Sequence, residues 1–351
     1  MADRPFARSN PQELVGSCRS TPVLAVVEQR EASPSSPRLD ALRRFTKAAL
    51  RHRWALATTA ALTVIFVING VPLEPTVLLI FGVALFGIDA LSTKGVAETG
   101  RIFRDWLPLL AILLAYGTTN GFAQSVGMPL QVEALVNADK LMFLGEVPTV
   151  WLQARLVGDQ IAWWEVFLTL IYVSHFFAAP AVLLWLYRRD RGRWRSFANR
   201  FLTLNAFGLA TYILVPAAPP WWASDHGEIG EVARVLGRGW SVIGLETAGG
   251  IMTTGQTRVN EVAALPSLHA GYSFLLAMFL WRTAKRSRWA LALYPVAMGF
   301  TLVYGGEHYV IDIILGWLYA WGVMILWDRI DSRRAARLPE SEVDAPDLAS
   351  A

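Results

Sequence analysis

Two histidines and an aspartate stand at the entrances of strongly apolar segments, where ionisable side chains are rare. His308 and Asp312 lie four residues apart in Tyr304-Gly-Gly-Glu-His-Tyr-Val-Ile-Asp-Ile, so on a helix the imidazole and the carboxylate would share one face. His269 lies 39 residues before His308, where Leu265-Pro-Ser-Leu-His-Ala-Gly opens another apolar segment. Ionisable groups at such places indicate a functional site, and we expect the three side chains to converge.

The placement of these residues also predicts the kind of ligand. The start of a helix presents unpaired backbone N–H groups and the positive end of the helix dipole, which together favour an anion. An imidazole, with an unperturbed pKa of ~6.5, can both donate and accept a proton near neutral pH. A ligand that carries phosphate therefore suits the pattern.

Composition indicates an integral membrane protein. Of the 351 residues, 54% are hydrophobic and 15 are Trp, and the mean hydropathy is +0.37, more than a water-soluble domain usually shows. The net charge of +4 comes from Lys and Arg in short clusters between apolar stretches, which is typical of membrane topology, so we expect no nucleic-acid partner. The single cysteine, Cys18, excludes an intrachain disulfide and a thiolate metal cluster.

Eight apolar segments approach the ~20 residues that a helix needs to cross a bilayer, and they predict an all-α, polytopic membrane helical bundle. The last three spans, with the fourth and fifth, should form a core of five to six helices. The eight segments cover residues 54–71, 75–91, 106–120, 163–187, 198–216, 267–283, 289–305 and 308–327.

The remaining segments complete the predicted organisation. We expect residues 1–40 to be a disordered cytoplasmic tail, 41–104 to hold two N-terminal transmembrane helices, 105–328 to form the main membrane domain, and 329–351 to be a second cytoplasmic tail. Within the main domain lie two long outer segments. Residues 121–162 should contribute interfacial helices, and residues 217–266 should form a lid over the site.

Basic residues orient the bundle, because cytoplasmic loops carry the excess of Lys and Arg. With both termini in the cytoplasm, every dense basic cluster falls on that side, while the two long outer segments hold few cations. Both His269 and His308 then lie at the extracytoplasmic surface, in what we expect to be a bacterial plasma membrane. The basic clusters cover residues 43–53, 94–104, 188–195, 282–288 and 329–337.

The histidine motifs resemble those of a known family. Pro266-Ser-Leu-His269 followed by His308-x3-Asp312 is similar to the second and third motifs of the type 2 phosphatidic acid phosphatase superfamily, membrane enzymes that process lipid phosphates without metal. Pro219-Pro-Trp221, with Asp139 and residues 145–153, resembles the branch that includes inositol phosphorylceramide synthases and their bacterial relatives.

The resemblance implies a role for each residue. His308 would attack phosphorus and carry a transient phosphohistidine, while Asp312 would hold the other ring nitrogen of His308. His269 would protonate the leaving oxygen and then deprotonate the acceptor. Ser267 and backbone amides would hold the phosphoryl oxygens.

The resemblance also implies an activity. Residues 105–328 would be the catalytic domain of a lipid phosphatase or phosphotransferase that needs no cofactor and no metal. The substrate would be a lipid phosphate or lipid pyrophosphate, and an inositol-phosphate head group is among the groups that could be transferred. Water and an alcohol both stay open as the acceptor, because the same phosphohistidine serves either.

The sequence departs from the superfamily at the cationic clamp for phosphate. Thr301 and Leu302 stand where the third motif usually begins with Ser-Arg, and no Lys-x6-Arg-Pro motif is present. Other cations must then hold the phosphate, and Arg258 is the first candidate because it lies eleven residues before His269. The further candidates are Arg238, Lys140 and Arg155.

Two more residues, and the function itself, have alternative interpretations. His175 lies inside a predicted span, where it could contact substrate, support the site, or make a buried interhelical hydrogen bond. Trp221 could line a lipid entry path or anchor the outer interface. The His308 and Asp312 pair could instead be the proton relay of a non-catalytic transporter, an alternative that the lack of an inverted repeat disfavours.

Overall fold

Thirteen α-helices form the described part of the chain in the computed structural model, which describes residues 37–69, 75–116, 125–244, 263–281 and 283–337. These ranges contain no strand, although isolated bridges join Ala217 to Gln131 and to Ala263. The helices are α1 (Pro37–Arg51), α2 (Arg53–Asn69), α3 (Pro75–Thr93), α4 (Val96–Tyr116), α5 (Glu133–Met142), α6 (Pro148–Leu156), α7 (Trp163–Arg189), α8 (Arg191–Leu214), α9 (Pro220–Asp225), α10 (Gly239–Val242), α11 (Leu268–Trp281), α12 (Arg288–Tyr304) and α13 (Val310–Ala335).

Two compact units divide the chain, Met1–Ala48 and Ala49–Ala351. Of the first unit, the structure describes residues 37–48, which belong to α1. All of the side chains discussed below lie in the second unit.

A helix overlaps each of the eight apolar segments, and two of these helices are long and apolar enough to cross a membrane, α7 and α13. Both carry large apolar side chains that are about half exposed or more, among them Trp163 and Phe167 on α7 and Trp321 on α13. Exposing such apolar surfaces to water is unfavourable, whereas contact with the hydrocarbon core of a bilayer is not. The chain is therefore an all-helical protein with membrane-spanning character.

The inner end of each predicted tail is helical in the structure. α1 starts at Pro37, before the predicted boundary at residue 40, and α13 continues to Ala335, beyond residue 328. The extension of α13 has a clear cause: the buried guanidinium of Arg200 on α8 pairs with Asp328 at 2.7 Å and Asp331 at 3.0 Å. The rest of the tails, residues 1–36 and 338–351, lies outside the described residues.

Short helices lie in both outer segments. α5 and α6 occupy part of residues 121–162, where the sequence predicts interfacial helices, and α9 and α10 occupy part of residues 217–266, where it predicts none. Residues 245–262 lie outside the described part of the chain, so the lid over the site stays a prediction.

Close packing of α11 against α13 positions the two histidine motifs. A Cβ atom on Gly316 of α13 would lie 2.3 Å from the carbonyl oxygen of Ser267, so only glycine allows this approach. The amide of Ser267 donates to the carbonyl of Asp312 at 3.1 Å, and the Tyr212 hydroxyl donates to the Pro266 carbonyl at 2.8 Å. The starts of α11 and α13 are thereby held side by side.

Candidate active site

His308 and Asp312 form a buried pair at the start of α13. The Nδ1 atom of His308 lies 3.4 Å from Oδ2 of Asp312, and the same oxygen accepts from the Tyr309 amide at 2.9 Å. A carboxylate at this place accepts from Nδ1–H, which leaves the lone pair of the imidazole on Nε2. The pair thus presents one basic ring nitrogen in a fixed orientation.

The pair meets in a different way from that predicted. The four-residue spacing suggests that both residues lie on the helix. In the structure, His308 precedes the first residue of α13 by two positions and lies outside the helix. The extended backbone at Tyr309 (φ −75°, ψ 161°) brings the imidazole back over the carboxylate of Asp312, which lies in the first helical turn. The contact is therefore part of the helix cap.

His269 joins this pair from the neighbouring helix. It lies in the first turn of α11, and its ring centroid is 5.5 Å from that of His308. The structure therefore brings His269, His308 and Asp312 together, as their sequence positions predict. Two imidazoles at this separation leave room for one phosphoryl group to contact both.

His269 is held by aromatic rings on α7. The His175 ring centroid lies 4.0 Å from that of His269, and the Tyr172 ring stacks on His269 at 5.4 Å. On its other side, His175 stacks on Tyr272 at 5.2 Å. The Nδ1 atom of His175 is buried and has no hydrogen-bond partner among the described residues, so this nitrogen makes no interhelical hydrogen bond there.

Asp139 caps α13 from a distant part of the chain. Its two carboxylate oxygens accept from the amides of Val310 at 3.0 Å and Ile311 at 3.1 Å. Burial raises the pKa of Asp139 to about 6, although these two hydrogen bonds act in the opposite direction. The carboxylate therefore fixes the start of the helix that carries Asp312.

The first amides of α13 are occupied by carboxylates of the protein itself, because those of Tyr309, Val310 and Ile311 donate to Asp312 and Asp139. Ser267 is also engaged, because its amide donates to the Asp312 carbonyl and its hydroxyl oxygen accepts from the Ala270 amide at 3.3 Å. The contact of Ser267 and backbone amides with phosphoryl oxygens stays a prediction.

A two-glycine turn joins α12 to His308. Gly306 adopts a φ of 78°, and a Cβ atom there would lie 2.9 Å from the Ala233 carbonyl oxygen. The side-chain amide of Gln153 bridges this contact: its nitrogen donates to the carbonyls of Ala233 at 2.9 Å and Tyr304 at 2.7 Å, and its oxygen accepts from the Ala233 amide at 2.9 Å. Gln153 thus fixes the outer segment against the turn that carries His308.

This connection places an arginine beside the histidines. Arg234, next to Ala233, forms a two-point salt bridge with Glu307 through Nε at 3.1 Å and Nη2 at 2.9 Å. Its guanidinium lies 4.7 Å from the centroid of the Trp221 ring. Since Glu307 is adjacent to His308 in the chain, this salt bridge places a cation near the candidate site.

The cations predicted from the sequence lie elsewhere or outside the described residues. Arg258, the first candidate, falls in residues 245–262, which the structure does not describe. Lys140 is exposed on α5, and the Arg155 guanidinium lies 4.2 Å from the Trp151 ring centroid. Arg238 donates to the Gly158 carbonyl at 2.7 Å and lies 3.7 Å from the Glu165 carboxylate.

Sequence reasoning did not single out Arg234, because no spacing relates it to His269 or His308. Its place depends on the course of the long segment from Ala217 onward and on the contact of Gln153 with Ala233. One signal was available: Glu307 adjoins His308, and a buried carboxylate at that position needs a cationic partner.

In the part of the chain that the structure describes, two helix entrances bring two histidines and an aspartate together, which defines a class of apolar, helical membrane protein with a His–His–Asp site. The sequence profile of the PAP2 superfamily matches residues 133–326, which is more than half of the chain and includes this site. The protein belongs to the PAP2 superfamily.

Several curated proteins are similar to the chain. The phosphoinositol dihydroceramide synthase of Bacteroides thetaiotaomicron is 30% identical over 202 residues, which cover 54% of this chain and 64% of the relative. The inositol phosphorylceramide synthase of Candida albicans is 26% identical over 231 residues, or 62% of this chain and 46% of the relative. The chain thus spans less than two thirds of the length of either relative, and no solved structure matches it.

Proposed function

We propose that the protein is a membrane lipid phosphotransferase that moves a phosphate-bearing head group from a lipid to the hydroxyl of an acceptor lipid. The observation that carries the proposal is the convergence of His308, Asp312 and His269 at two helix entrances. The relatives named as inositol phosphorylceramide synthases favour transfer over hydrolysis, and inositol phosphate as the transferred group.

In the first half-reaction, the Nε2 lone pair of His308 attacks phosphorus. A P–N bond forms while the bond from phosphorus to the oxygen of the departing lipid breaks. That oxygen takes a proton from His269, and Asp312 stabilises the positive charge that develops on the imidazole of His308. His175 and Tyr172 act through His269 by fixing the plane of its ring.

In the second half-reaction, the acceptor hydroxyl gives its proton to His269 and its oxygen attacks phosphorus. The P–N bond breaks, and His308 returns to its neutral form. Each histidine ends in the state in which it began, so the cycle needs no cofactor.

The proposal places the site at the outer leaflet of a bacterial plasma membrane, in a bundle of eight spans with both termini in the cytoplasm. The support is the distribution of Lys and Arg, since the dense basic clusters lie on the side opposite to the starts of α11 and α13. Residues 105–328 form the catalytic domain in this arrangement.

A lipid panel tests the activity and its side of the membrane together. Right-side-out vesicles containing the protein receive short-chain, membrane-impermeant phosphatidylinositol, phosphatidic acid or a prenyl pyrophosphate, each with and without a short-chain ceramide. Mass spectrometry should detect ceramide phosphoinositol and diacylglycerol without permeabilisation. Turnover that appears only after permeabilisation would place the site on the inner side, and no product from any donor would remove the proposed function.

Arg234 should bind the phosphate, so Arg234→Ala should lower kcat/KM by roughly 10²-fold, because a charge-assisted contact to the transferred group is lost. Arg234→Lys should recover part of this loss. Arg155→Ala, on the surface of α6, is the matched control and should leave kcat/KM unchanged.

Glu307→Gln separates binding from a purely structural role of Arg234. If Arg234 served only to neutralise Glu307, then Glu307→Gln together with Arg234→Ala would restore kcat/KM. If Arg234 binds phosphate, the double variant stays impaired while Glu307→Gln alone keeps most of its activity. Restoration in the double variant would contradict the phosphate-binding role.

A further inference from the structure

A cavity lies far from His269 and His308, at the other end of α7. Its volume is about 510 Å³, and we name it the basic cavity because five Lys and Arg side chains line it: Arg51, Lys94, Arg188, Arg189 and Arg191. Arg188 follows His175 by thirteen residues on α7, which corresponds to about 20 Å along a helix that rises 1.5 Å per residue. The basic cavity is therefore a separate site.

The carboxylates of the basic cavity already have partners within the protein. Asp89 contacts the His52 imidazole, and Glu98 pairs with Arg191 at 3.1 Å. Asp190 accepts from the Arg193 amide as the cap of α8 at 2.8 Å. The lining of the basic cavity thus contains three carboxylates and five cationic side chains, so its net charge is positive.

The remaining cations are placed to receive an anion. Among the residues that the structure describes, the side chains of Arg51, Lys94 and Arg189 are exposed and take part in no hydrogen bond or ion pair. The guanidinium of Arg188 lies 5.2 Å from the centroid of the Phe86 ring, which lines the cavity beside Ile102. Cations around an apolar wall match a charged group attached to a hydrocarbon body.

We propose that the basic cavity binds the phosphate head group of an anionic phospholipid from the leaflet opposite to the histidine site. Its volume falls in the ordinary range of ligand pockets. Basic pockets between the ends of membrane helices on the cytoplasmic side are suited to anionic head groups, to which each nearby Lys or Arg adds attraction. The bound lipid would join α3 and α4 to the end of α7, because all three contribute to the cavity.

Titration of the full-length protein in neutral detergent with phosphatidylglycerol, followed by native mass spectrometry, tests the site. Lys94→Gln combined with Arg189→Gln should weaken binding roughly 30-fold, since each cation contributes about fivefold. The matched control is Arg195→Gln combined with Arg286→Gln, two exposed arginines outside the cavity, which should bind like the unaltered protein. Phosphatidylcholine should bind weakly to all of them.

The other arms identify the ligand and can overturn the proposal. Arg234→Ala should leave this binding unchanged, which separates it from binding at the histidines. If inorganic phosphate at millimolar concentration displaces the lipid, and its own binding is lost in the Lys94→Gln and Arg189→Gln variant, the cavity is a phosphate site for a soluble ligand. Equal binding by the cavity variant and the control variant would refute the site.

Discussion

His308→Ala should lose at least roughly 10⁴-fold in kcat, the largest effect of any single substitution in this protein, because it removes the atom that forms the P–N bond. His308→Asn should lose as much, although its side-chain amide can still donate to Asp312. The measurement is kcat with the donor lipid identified in the vesicle assay. A radiolabelled head group should also attach to the unaltered protein as a base-stable, acid-labile adduct, and should not attach to either variant.

His226→Ala is the matched control for this prediction. His226 is exposed, lies in the same outer segment as Arg234, and stacks on Trp222 with ring centroids 3.6 Å apart, away from the site. Its removal should leave both turnover and the adduct unchanged. Thermal unfolding of all three variants shows whether they are folded. A folded His308→Ala protein with normal turnover would contradict the mechanism.

The histidine site could be predicted because its chemistry is local in sequence. Each motif lies at the junction of a polar turn and an apolar helix, so residue type, spacing and membrane side all point to the same three side chains. Helices could be predicted from the apolar segments, since a helix overlaps each of the eight, while the number of membrane spans stays a prediction.

Contacts across long stretches of chain could not be predicted in this way. Asp139 caps α13 from 171 residues before Val310, and Arg234 reaches Glu307 from 73 residues before it. Both contacts depend on how the outer segments fold over the bundle, and those segments have no periodic pattern that fixes their course. The family resemblance includes residues 145–153, but it does not indicate what Gln153 does. Its hydrogen bonds to the carbonyls of Ala233 and Tyr304 show that it joins the outer segment to the turn before His308.

The amides at the start of α13 show the same limit. The sequence correctly indicates a helix entrance, and an entrance has unpaired N–H groups to offer. It does not indicate that two carboxylates of the protein itself, from Asp139 and Asp312, already accept from these groups. With these donors occupied, the amides at the start of α13 are not free to bind a further acceptor, which is why the position of Arg234 matters to the proposed phosphate site.

Asp312→Asn should lower kcat by roughly 10³-fold and leave KM nearly unchanged, a smaller loss than in His308→Ala because the nucleophile remains. The Tyr309 amide and the Nδ1–H group of His308 both meet the same oxygen, Oδ2, so the introduced amide can accept from both through its single carbonyl oxygen. The imidazole then keeps its orientation and its Nε2 lone pair, and what is lost is the negative charge that stabilises the developing imidazolium. The pH dependence of kcat should change as well, because no carboxylate stabilises the imidazolium.

Asp139→Asn tests whether this loss comes from the imidazole or from the helix cap. Both aspartates cap α13, but Asp139 accepts from Val310 and Ile311 and makes no hydrogen bond with His308 among the described contacts. Asp139→Asn should therefore keep kcat within about threefold, since a change of about 1 kcal/mol in a cap alters stability far more than chemistry. If both variants lost kcat equally, Asp312 would act by holding the helix. A loss confined to Asp312→Asn means that the negative charge beside His308, and not the helix cap, supports the reaction.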